Sequence, residues 1–152
     1  MHDFDFLHGT WHVHNARLAE RLVGSTTWIE FDALSECRPI LAGIGNVEEM
    51  VTSWNGGFRG MSVRLFDLER KQWSIYWAST KTGVLEPPVS GQFADGIGTF
   101  FGPDSHLGTP VLSRFIWSAI TPTAARWEQA FSTNDGGSWE TNWRMDFTRV
   151  AT

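Results

Sequence analysis

Residues 126–149 read RWEQAFSTNDGGSWETNWRMDFTR. Side chains alternate between the two faces of a β-strand, so the phase of the apolar residues shows which face meets a core. In the final run, Trp139, Thr141, Trp143, Met145 and Phe147 share one face, and Glu140, Asn142, Arg144, Asp146 and Thr148 share the other. Before it, Trp127, Gln129 and Phe131 oppose Arg126, Glu128, Ala130 and Ser132. Between them Asn134-Asp135-Gly136-Gly137 has the composition of a hairpin turn. If the aromatic faces are to meet, the loop must hold three or five residues or the hairpin must contain a bulge, with Gly136 or Gly137 at positive φ.

The same pattern extends toward the N-terminus. Trp117, Phe115, Ser113 and Val111 lie opposite Arg114, Trp73, Ile75, Trp77 and Ser79 lie in one phase, and Met61, Val63 and Leu65 are set against Arg64. Breaks are expected at Glu20 to Ser25, Pro39 to Gly43, Asn55 to Gly57, Asp67 to Lys71 and Lys81 to Pro88. Four more fall at Asp95-Gly96, Gly102 to Pro110, Thr121 to Ala124 and Thr133 to Gly137. Nine breaks imply ten strands, and helix is confined to a short turn over Asp3 to His8 with Asp3 as its cap. The fold expected is all-β, a ten-stranded antiparallel up-and-down barrel forming one domain over residues 1–152.

The chain carries a net charge of −5 with 41% apolar and 19% charged residues, which suits a folded domain and not disorder. A mildly acidic chain without basic runs argues against nucleic acid as a partner. No apolar run approaches the roughly 18 residues of a membrane helix, and Met1-His2-Asp3-Phe4-Asp5 lacks the cationic start of a signal peptide. One cysteine, Cys37, excludes an internal disulfide and fits a reducing compartment, so a cytoplasmic location is expected. Nine tryptophans beside eleven phenylalanines and one tyrosine are more than a filled β core needs. Flat rings lining a hollow barrel account for the excess.

Gly9-Thr10-Trp11 resembles the G-x-W signature of calycins, the lipocalin and fatty-acid-binding-protein group. The resemblance implies a short helical turn before the first strand, Trp11 closing one barrel end, and Arg149 stacked across it. A fuller resemblance is to a bacterial family of calycin-like proteins, the domain of unknown function numbered 1579. It rests on Phe6-Leu7-x-Gly9-x-Trp11, Trp73-Ser74-Ile75-Tyr76-Trp77, the 126–132 segment and Asp135 to Glu140 with Asn142-Trp143 and Phe147-Thr148-Arg149. That resemblance implies a fold and no particular activity.

Function is expected to reside in the barrel interior. Trp77, Trp117, Trp127 and Trp143 are candidate walls of a ligand site, with Gln129 and Arg17 as its polar groups. Asn15, Ser79 and Thr141 are further inward polar groups that must pair with one another, with water or with a ligand. The expected partner is a small apolar molecule, in a monomer or homodimer. The alternatives are an isomerase, cyclase or hydrolase with an inward Glu48 or Arg17, and a dimerising module without a ligand. No catalytic constellation, cofactor site or metal site is expected. His12 and His14 stand about 6–7 Å apart on one face, but that face points to solvent. A haem-binding barrel of the nitrobindin type would need an inward histidine late in the chain, and only the loop residue His106 is offered. Cys37 beside Arg38 has no histidine near it to make a nucleophile.

Overall fold

The structure, a computed structural model, describes residues 1–151. Ten antiparallel strands are present: β1 (Gly9–Leu18), β2 (Trp28–Ile40), β3 (Gly45–Thr52), β4 (Phe58–Asp67) and β5 (Gln72–Ser79). They continue as β6 (Val89–Ala94), β7 (Ile97–His106), β8 (Thr109–Ser118), β9 (Ala124–Ser132) and β10 (Glu140–Arg149). Each strand pairs with its neighbour in sequence, and β10 returns to β1 with Trp11 opposite Arg149. Closure removes the exposed sheet edges that would otherwise invite association.

One end of the barrel is sealed by the segment before β1. Phe4, Leu7 and Trp11 are essentially inaccessible to solvent. Phe4 meets Trp73 and Phe93 edge-on at 5.0 and 4.9 Å, which suits the aromatic quadrupole better than face-to-face stacking. Trp11 donates its indole N–H to the Leu7 carbonyl at 2.8 Å, so the buried ring leaves no orphan donor. The Arg149 guanidinium lies 4.2 Å from the Trp11 ring centre and donates to the carbonyls of Phe6, His8 and Pro122. Gly9 sits under it with φ +122°, where a Cβ would stand 2.6 Å from Arg149 Nη1. The glycine and the tryptophan of G-x-W therefore both answer to Arg149.

Four expectations are corrected. The N-terminal turn is a 3-10 turn over Asp5–Leu7, and Asp3 does not cap it; its carboxylate accepts the Trp73 indole N–H at 3.0 Å. Gly102 to Pro110 is strand except for a two-residue turn at Leu107 and Gly108, both at positive φ. Gly102 is there because a Cβ would collide with the Pro88 carbonyl, not because the chain turns.

The third correction is in β4, whose inward phase is Phe58, Gly60, Ser62, Arg64 and Phe66. Met61, Val63 and Leu65 take the other side. Arg64 is inside because Glu48 of β3, also inside, neutralises it, and Asn46 beside it accepts a further hydrogen bond.

In the last hairpin Gly136 has φ +89°, and the register slips between Thr141 and Trp143, leaving Asn142 as a bulge. Parity is thereby repaired for Trp143, Met145 and Phe147. Trp139 and Thr141 lose the inward phase expected of them, and Trp139 lies outside, 4.4 Å from the Arg114 guanidinium.

Candidate functional site

The interior holds a cavity of about 250 Å³ that reaches from the plug to the opposite end. Its walls include Trp77, Trp117, Trp127, Trp143, Gln129 and Arg17, which five strands, β1, β5, β8, β9 and β10, bring to one space. Trp127 meets Trp143 edge-on at 5.7 Å and Phe115 at 5.0 Å, so the indoles brace one another and leave faces toward the lumen. Trp77 reaches across β4 only because Gly60 has no side chain; a Cβ there would fall within its ring.

The inward polar groups are largely tied to each other. Gln129 donates to Asn142 Oδ1 at 2.9 Å, and Trp143 donates to Asn15 Oδ1 at 2.9 Å. Satisfaction is incomplete, since Ser113 Oγ and Trp117 Nε1 are buried without a hydrogen-bond partner among the described residues. Each such group costs about 1–3 kcal/mol.

Beneath the indoles, just above the plug, lies a charged pair. Arg64 and Glu48 are both buried and pair at 2.5 Å. Glu48 takes Arg64 on one oxygen and the Ser35 hydroxyl on the other, while Arg64 also donates to Asn46 Oδ1 at 3.0 Å. The guanidinium carbon lies 5.2 Å from the Phe4 ring and 5.5 Å from Trp117. Both oxygens of Glu48 are thus engaged by side-chain donors, which fixes the carboxylate in place. Sequence reasoning had weighed Glu48 but placed Arg64 on the wrong face.

The open end is lined by Arg17, Arg21, Glu86, Asp104 and His106. Arg17 packs 4.9 Å from the Trp143 ring centre, and Arg21 packs 5.3 Å from Phe131. Burial lowers the pKa of both; that of Arg21 falls to about 10 under burial and the charge of Arg17, with Asp104 and Glu140 opposing. Burial, then Asp104, raises that of Glu86. Arg21 carried no signal in the sequence because the 20–25 loop has no period. His106 is the last residue of β7, at this rim and not at the floor.

Two other candidates lie elsewhere. His12 and His14 face outward, where His14 bonds Asp32 at 3.0 Å and Glu30 at 2.9 Å across the β1–β2 pair. Sequence spacing missed these carboxylates because the register of β2 brings them there. Among the described residues no group of three or more His, Cys, Asp or Glu has metal-binding geometry. Cys37 is buried, and burial pushes its thiol up to about 12, the reverse of activation.

No family model matches the sequence, and no curated protein matches it. Among solved structures, the S-type phycobiliprotein lyase CPES from Guillardia theta superposes with a TM-score of 0.66. The match covers 98% of this chain and 91% of that one at 11% identity, so the likeness is one of fold. No helix is long and apolar enough to cross a membrane.

Proposed function

We propose that this chain is a calycin-type barrel that binds a small apolar or aromatic molecule in its lumen. The observation that carries the proposal is the cavity of about 250 Å³ walled by four indoles and entered from one end. An engineered apolar cavity of roughly 150 Å³ takes benzene, so the volume suits a guest of about ten heavy atoms. Incomplete pairing at Ser113 and Trp117 favours a lumen shaped for a guest over a solid core with a closed polar network. The phycobiliprotein lyase lends this proposal its fold and nothing about the identity of the guest.

Titration with the neutral probe 1-aminonaphthalene tests it. Indole emission is expected to change saturably, and Ser62→Phe, which fills the lumen from β4, to abolish the change while the melting temperature is held. Trp127→Ala is expected to weaken binding by removing a wall. An emission that changes linearly with probe and is indifferent to Ser62→Phe would remove the proposal.

A further inference from the structure

A second hollow, of about 310 Å³, lies outside the open end against Leu18, Ile29 and Trp54, and it shares Arg17, Arg21 and His106 with the lumen. The two guanidiniums therefore stand at the junction between the interior and the surface. Both are held in place by aromatic faces: Arg17 by Trp143 and Trp54, Arg21 by Phe131 and Trp143. Neither is in an ion pair; Arg38 and Arg114 have none either among the described residues, but they line neither hollow. Arg59, Arg64, Arg70, Arg126 and Arg144 have carboxylate partners, and Arg149 has three carbonyls. Among the described residues Arg17 and Arg21 form no ion pair, and Arg21 Nη2 is buried without a hydrogen-bond partner. Asp104 and Glu140 act on Arg21 from beyond ion-pair distance, Glu140 holding the Leu22 N–H on one oxygen at 2.7 Å, and Glu86 lines the same mouth.

Two partly desolvated, mutually repelling cations cost free energy unless something compensates them. We infer that the lumen takes an amphiphilic anion: an aromatic body among the indoles, with a carboxylate held between Arg17 and Arg21 at the junction of the two hollows. The inference rests on the lumen-binding proposal and adds the charge of the guest. The guanidinium fork matches a carboxylate in plane and donor count, and low solvent access strengthens the contact. The lowered pKa of Arg21 agrees, since an arriving anion would reverse the strain on its charge.

Calorimetric titration of cinnamate and of cinnamamide, equal in shape and differing in charge, separates the two claims. Cinnamate is expected to bind the unmodified protein about tenfold tighter or more, as a charge-assisted contact implies. Arg17→Gln and Arg21→Gln are each expected to erase that preference by weakening cinnamate far more than cinnamamide, and Arg21→Lys to keep part of it. Should a glutamine variant fail to fold, salt serves instead: cinnamate affinity is expected to fall with ionic strength and that of cinnamamide to stay level. Equal affinity for the two compounds, insensitive to salt and to Arg17→Gln, overturns the anionic guest and leaves the lumen site standing. Binding of neither compound overturns both.

Discussion

At the sealed end of the barrel Arg149 donates to three carbonyls and stacks on Trp11, and Arg64 is matched by Glu48 and Asn46. At the open end Arg17 and Arg21 rest on aromatic faces and form no ion pair among the described residues, the carboxylates of Asp104 and Glu140 acting on Arg21 only from a distance. One residue type is thus used in two ways. Cations at the floor are held by partners from within, Arg64 by a carboxylate although its Nε is unpartnered and Arg149 by carbonyls, and they hold the fold. Those at the mouth are positioned without an ion-pair partner, and they are the groups able to gain from a guest.

Breaking the floor is the severest test of that contrast. Glu48→Gln keeps the shape but strands a buried guanidinium, and a loss of about 3–5 kcal/mol in urea unfolding is expected. A loss below about 1 kcal/mol would mean Arg64 is compensated by some other group. Trp11→Ala is expected to cost a similar amount, about 3–5 kcal/mol, by removing the plug's largest ring. Arg149→Ala is expected to cost about 1–3 kcal/mol, because stacking and the carbonyl contacts are lost together at a half-buried site. Gly9→Ala should approach that effect by displacing the same guanidinium.

The mouth should respond differently. Arg21→Gln is expected to leave unfolding free energy within about 0.5 kcal/mol of the unmodified protein, or to raise it, since a repulsion disappears with the charge. A large loss there would place Arg21 with the floor arginines and blunt the distinction.

The smallest effect is expected outside the barrel, at His14. Hydrogen bonds to Asp32 and then Glu30 raise its pKa above the ordinary 6.5. A raised folded-state pKa means the contribution is complete below about 6.5 and fades as pH climbs through the folded value. Asp32, lowered chiefly by His14, contributes above its unfolded value and loses that contribution in acid. Solvent screens the pair, so the effect on stability should be slight. An NMR titration should place the His14 midpoint above 6.5, moving down in Asp32→Asn.

Where a strand obeys the rule of apolar inside and polar outside, the sequence was a good guide. Strands β1, β5, β8 and β9 have the faces their alternation implies, and β10 has them from Trp143 onward. The rule misled in β4, where the inward phase carries Gly60, Ser62 and Arg64. A buried charge is tolerable only with a partner, and Glu48 lies on another strand, invisible to any reading of β4 alone. It misled at Trp139 because a single bulged residue, Asn142, reverses phase. The candidate walls were legible as aromatic residues in phase. Arg21 was not, because a loop has no phase to read.

Alternation and turn chemistry determined by themselves that this chain forms ten strands, and they implied where most of its indoles point. These are local properties, written within ten residues of each other. That the barrel closes with about 250 Å³ unfilled, that Arg64 pairs with Glu48, and that Arg17 and Arg21 come within ion-pair distance of no carboxylate among the described residues were decided only in three dimensions. Barrel width depends on strand stagger and tilt summed around the whole sheet, and the void is what remains after every inward side chain has been placed.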